Sequence, residues 1–120
     1  MELYWYRGSV VKIIDGDTLD IDIDLGFDIW HSIRVRLNGL NAPETRTSSL
    51  EEKEAGLRSK EFVKSWLDNR GYKVLLHTIK DGTEKYGRIL AEVYDSTGYD
   101  NLNNDLIKEG FAVPYNGGHK

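Results

Sequence analysis

The stretch Thr18-Leu-Asp-Ile-Asp-Ile-Asp-Leu25 constrains this chain more than any other. Apolar and acidic residues alternate without a break, so Leu19, Ile21, Ile23 and Leu25 share one face and Asp20, Asp22 and Asp24 the other. That period of two is the signature of a half-buried strand. One side must meet a core and the other solvent, and Asp20, Asp22 and Asp24 read as a solvated face.

Strand-like runs cover 9–14, 18–26, 29–40, 72–80 and 88–94. A helix begins near Ser49, where Ser49-x-x-Glu52 has the form of a capping box. Its apolar positions are Ala55, Phe62, Val63, Trp66 and Leu67, and Asn69-Arg70-Gly71 stops it. A shorter helix covers 102–109 and ends at Gly110. Three strands, a helix, two strands and a helix predict a β-barrel plus helices: a small five-stranded antiparallel barrel, for which the OB-fold is the commonest solution. The 120 residues fit a single domain, 1–120, able to bury a core without staples.

The chain has no cysteine, which removes thiolate metal sites and cysteine nucleophiles. Only His31, His77 and His119 are present, at spacings that form no metal-binding pair. Any metal must therefore be held by oxygen, which favours Ca²⁺ or Mg²⁺. The start, MELYWYRGSV, has no basic region followed by an apolar core, and nowhere do eighteen apolar residues run together. The expectation is a soluble protein with no membrane partner and no export signal, cytoplasmic, the cytoplasm of a phage-infected host included. A net charge of −4 argues against coating nucleic acid by bulk electrostatics, although a local basic patch can still hold a polyanion.

Three short segments carry the chemistry. Asp15 and Asp17 flank Gly16 in a turn-like D-G-D-T, where side chains can converge on one point. In R-V-R-L-N-G-L-N-A-P-E, residues 34–44, Arg34 and Arg36 share a strand face that runs into a loop holding Asn41, Pro43 and Glu44. In E-K-Y-G-R-I-L-A, residues 84–91, Arg88 opens a strand just after Lys85, Tyr86 and Gly87. Arginine suits the binding of phosphate-like anions because its planar fork donates to two oxygens at once. Glu44 is the only acidic residue between Asp28 and Glu51, and a carboxylate within reach of water can act as general base.

In order and in combination these segments resemble the staphylococcal nuclease (thermonuclease) family: D-G-D-T at 15–18, R-x-x-x-x-N-A-P-E ending at Glu44, and K-Y-G-R at 85–88 followed by Leu90-Ala91. The likeness runs from about Ser9 to Tyr115 and implies an OB-type barrel with packed helices. The ending A-V-P-Y-N-G-G-H-K resembles the compact phage and bacterial forms. The resemblance implies a Ca²⁺-dependent nuclease that acts on DNA or RNA or both and leaves 3′-phosphate products. A shallow barrel groove admits a splayed base more easily than a duplex, which favours unpaired strands, and the expectation is a monomer. It places Asp17 as a calcium ligand, Asn41 at a second ligand position, the Ala42 carbonyl as a third and Asp15 in the outer shell. Glu44 falls where the family orients or deprotonates the attacking water. The family arginine lies five residues before the ligand position and eight before the glutamate, which selects Arg36; Arg34 becomes a neighbour able to touch substrate. Arg88 is the second catalytic arginine, and Lys85, Tyr86 and Tyr115 match positions around the terminal phosphate and base.

One departure matters. Asn41 stands where the family has a carboxylate, so the site loses a charge while keeping a carbonyl oxygen. Two readings follow: an active nuclease with a weaker Ca²⁺ site, or an inactive OB module that binds single-stranded nucleic acid or protein. Asp17, Arg36, Glu44 and Arg88 are all present, and a domain freed from catalysis has no chemical reason to keep them together, which favours the enzyme.

Overall fold

The structure, a computed structural model, describes residues 4–83 and 87–115. The acidic alternation forms β2 (Thr18–Asp24), with Leu19 and Ile21 sealed completely and Ile23 nearly so. Leu25 departs from expectation and is exposed, because the strand ends at Asp24 although the alternation continues. There a turn takes over, closed by Leu25 N–H to the Ile29 carbonyl, with Gly26, Phe27 and Asp28 all at positive φ.

Around β2 the chain adds β1 (Trp5–Asp15), β3 (Trp30–Leu37), β4 (Leu40–Asn41), α1 (Leu50–Asp68), β5 (Lys73–Thr83), β6 (Ile89–Asp95), α2 (Leu102–Lys108) and β7 (Val113–Pro114). Five strands close a barrel in the order β1-β2-β3-β6-β5, the OB-fold, and β4 pairs with β7 outside it. The expected all-antiparallel barrel is corrected at one seam: β3 and β6 run parallel, Val35 opposite Ile89 and Leu37 opposite Ala91. A parallel pair needs a long crossover, and β4, α1 and β5 supply it. Strand β1 starts earlier than its apolar run because it pairs twice, Arg7–Asp15 with β2 and Trp5–Ser9 with β5. Register shifts after Val10 and Ile13 bend it around the corner.

The expected single strand over 29–40 breaks at Asn38-Gly39, where Gly39 adopts φ +87°. The turn sends Leu40 into the core and aims the following loop at the end of the barrel. Ser49 caps α1 as expected, its hydroxyl accepting from Glu52 N–H at 3.3 Å. The reciprocal half of the box is absent: the Glu52 carboxylate instead accepts from Thr47 Oγ1 at 3.2 Å. Val63, Trp66 and Leu67 of α1, with Leu102 and Leu106 of α2, join the inward residues of the barrel in one core. Among the described residues no helix is long and apolar enough to cross a membrane.

Candidate active site

Asp15, Asp17, Arg36, Asn41, Ala42, Glu44 and Arg88 all line one cleft of about 480 Å³, completed by Pro43, Glu52 and the segment 110–113. The parallel seam is what assembles it. Arg36 lies opposite Thr18 on β2 and opposite Leu90 on β6, so the residues entering β2, leaving β3 and entering β6 meet at one barrel end.

Asp17 is almost sealed. Its Oδ2 accepts from the Ala42 N–H at 3.0 Å and its Oδ1 from the Thr18 hydroxyl at 3.0 Å. Asp15 Oδ1 accepts from the N–H and hydroxyl of Thr45, at 3.2 and 2.7 Å. The two aspartates thus clamp the 41–45 loop from both ends. Gly16 between them has no positive φ; it is required by proximity, since a Cβ there would stand 2.8 Å from Ser59 Cβ and 3.1 Å from Ala42 Cβ.

Arg36 is held by neutral acceptors. Its Nη1 donates to the Leu40 carbonyl at 3.1 Å, its Nη2 donates to Asn41 Oδ1, and Tyr115 lies beneath it with 5.4 Å between guanidinium carbon and ring centre. The nearest carboxylate contact is Asp17 Oδ2 at 3.8 Å. Carbonyl anchors fix the fork without cancelling its charge. Arg88 Nη1 donates to Thr18 Oγ1 at 3.3 Å, and the same hydroxyl donates to Asp17, so Thr18 ties the second arginine to the buried carboxylate. Glu44 is exposed at the cleft mouth and makes no hydrogen bond or ion pair among the described residues.

Arg34 is not brought into the cleft. It lies on the barrel's outer face in a two-pronged pair with Asp20, 2.8 and 3.1 Å, with half of its side chain exposed. The Arg34 guanidinium holds the Asp20 carboxyl below the usual carboxylate range, and Asp20 in turn raises Arg34. The rest of the acidic face is also engaged rather than merely solvated, Asp22 accepting from Ser32 Oγ at 2.6 Å and Asp24 from Gly26 N–H at 2.8 Å. Lys85 and Tyr86 lie outside the described residues. Thr18, Thr45 and the 110–113 segment contribute without having been singled out in the sequence. Thr18 stood inside D-G-D-T, while nothing local marked the other two.

No group of three His, Cys, Asp or Glu side chains that could hold a metal is found among the described residues. The oxygens that line the cleft nevertheless fit a hard cation in kind: the carboxylates of Asp17 and Asp15, the Asn41 amide and the Ala42 carbonyl. Asn41 Oδ1 gives one lone pair to Arg36 and has a second.

A family model described as "Staphylococcal nuclease homologue" matches residues 34–120. The chain is 39% identical over 103 residues to the thermonuclease of Staphylococcus intermedius, covering 86% of this chain and 56% of that protein. It is 29% identical to the micrococcal nuclease of Shigella flexneri over 117 residues, covering 92% and 59%. An uncharacterized protein of Methanocaldococcus jannaschii is also 29% identical, over 128 residues, with the same coverage. The chain thus spans less than three-fifths of the length of these relatives.

Proposed function

Because the chain belongs to the staphylococcal nuclease family, we propose that it is a Ca²⁺-dependent phosphodiesterase that cleaves DNA, RNA or both. The observation that carries this reading is the meeting of Asp17, Arg36, Glu44 and Arg88, from four separate points of the chain, on one cleft.

In this reading Arg36 and Arg88 bind the non-bridging oxygens of the scissile phosphate and hold them more tightly as charge accumulates there. Glu44, exposed and without a cation beside it among the described residues, takes a proton from a water that attacks phosphorus. The bond to the 5′ oxygen breaks, that oxygen gains a proton, and the other product keeps a 3′-phosphate. Asp17, the Ala42 carbonyl and the second lone pair of Asn41 would hold Ca²⁺, with Asp15 behind them; when bound, it adds a Lewis acid beside the phosphoryl oxygens. Tyr115 beneath Arg36 flanks the path of the chain being cut, and Lys85 and Tyr86 are assigned to the terminal phosphate and base by the family motif alone. Unpaired strands are preferred because a shallow barrel groove admits a splayed nucleotide more readily than a duplex.

The competing reading, an OB module that binds without cutting, draws on Asn41, a neutral residue whose oxygen already serves Arg36. A fluorogenic single-stranded DNA, assayed with Ca²⁺ and again after EDTA, separates the two. Cleavage abolished by chelation is the expected result; binding without cleavage would replace the enzyme by the module.

A further inference from the structure

Helix α1 carries a glycine near its middle, Gly56, whose backbone is helical and whose φ is not positive. Nothing in its conformation calls for glycine, and a glycine inside a helix is worse than alanine by about 1 kcal/mol. The surroundings give the reason. A Cβ at this position would stand 2.5 Å from the carbonyl oxygen of Glu44, 2.7 Å from its carbonyl carbon and 3.0 Å from the carbonyl oxygen of Pro43. All three are backbone atoms, which cannot swing aside as a side-chain end can. A methyl group would have to part helix and loop until ordinary contact, 3.4–4 Å, is restored.

One turn further along the same face is Ser59, sealed from solvent, which donates its hydroxyl to the Phe111 carbonyl at 2.5 Å and backs Gly16. This face therefore seats the D-G-D turn, the 43–44 loop and the 110–113 segment together. Asp15 and Asp17 hold the loop from one side, through Thr45 and Ala42. Gly56 sets how deep it lies on the other.

We propose that Gly56 is a positioning residue for Glu44: bare backbone at this point of α1 fixes the distance of the Glu44 carboxylate from the phosphate held by Arg36 and Arg88. The inference rests on Glu44 being the base. Misplacing a catalytic group by about an ångström costs on the order of 10²-fold in rate. Because Gly56 touches the loop rather than the substrate, the loss should fall on kcat and not on KM.

The test uses the full chain with Ca²⁺ and single-stranded DNA. Gly56→Ala should stay folded by circular dichroism, lose about 30- to 100-fold in kcat and change KM by less than about threefold. Leu57→Ala, on an exposed position of the same turn, should behave as wild type. The double variant Gly56→Ala/Glu44→Gln should be no slower than Glu44→Gln alone by more than about twofold, since both changes remove one function. Amide shifts of residues 43–45 should move in Gly56→Ala, a readout independent of cleavage. If Gly56→Ala fails to fold, Glu44→Asp gives the answer in an intact fold, because a loop seated against backbone cannot advance to make up a lost methylene and the rate should fall nearly as far as in Glu44→Gln. The proposal is overturned if Gly56→Ala cleaves as wild type while Glu44→Gln is inactive, if the two losses multiply, or if Glu44→Asp keeps most of the activity. If Glu44→Gln cleaves normally, the assignment of the base has failed, and the role of Gly56 goes with it.

Discussion

Two aspartate–arginine pairs lie close together where β2 begins and β3 ends, and they are built in opposite ways. Asp20 and Arg34 face each other directly in register and form a two-pronged bond at 2.8 and 3.1 Å, open to solvent. Asp17 and Arg36 are each about nine-tenths buried, yet their closest approach is 3.8 Å. Each of them spends its hydrogen bonds on neutral partners instead, Asp17 on Ala42 and Thr18, Arg36 on Leu40 and Asn41. The outer pair satisfies itself. The inner pair keeps its charges in place and incompletely cancelled, at the cost of burying them, which is the arrangement a charged third body can use. Good ion-pair geometry marks the pair that satisfies itself, and mediocre geometry the pair proposed to act on substrate.

The sharpest way to break this comparison is to remove the inner charges. Arg36→Ala or Arg88→Ala should each lower kcat by roughly 10²-fold or more, with a smaller change in substrate binding, read from steady-state kinetics on single-stranded DNA. Asp17→Asn should nearly abolish Ca²⁺ binding by calorimetry. Asn41→Asp should lower the Ca²⁺ concentration for half-maximal activity by roughly tenfold, since a unit charge a few ångströms away is worth about 1–4 kcal/mol before desolvation and competition from Arg36 are subtracted. Unchanged affinity in Asp17→Asn would move the metal elsewhere.

The outer pair is expected to give far less. Arg34→Ala should leave kcat/KM within about threefold and cost about 0.5 kcal/mol in denaturant unfolding, the usual worth of an exposed pair. An effect equal to that of Arg36→Ala would erase the distinction between the pairs. The smallest change concerns pH. The Asp20 carboxyl is held low by the hydrogen bond from Arg34, so the stability it contributes is complete above its unfolded value of about 4 and fades as pH falls through the lower folded value. Asp20→Asn should flatten that part of the stability curve and little else. Asn at 20, 22 and 24 together should keep calcium-dependent activity within a few-fold.

Period and spacing settled a large part of this protein. Strict alternation placed Leu19, Ile21 and Ile23 inside because a strand's side chains can point only two ways, and Ser49 marked the start of α1 because orphan N–H groups need a cap. The resemblance to the family motif, through the spacing to Asn41 and Glu44, selected Arg36 over Arg34, and the cleft is lined by the first and not the second. Local pattern had no access to contacts between distant segments. The parallel β3–β6 seam, which brings Arg88 to Thr18, depends on barrel closure; the clamp of Asp15 on Thr45 and the pairing of Asp20 with Arg34 depend on which loops and strands become neighbours. Gly56 shows the limit most plainly. The sequence offers a glycine where a helix prefers alanine, but only the tertiary structure reveals the Glu44 carbonyl lying where a methyl group would be.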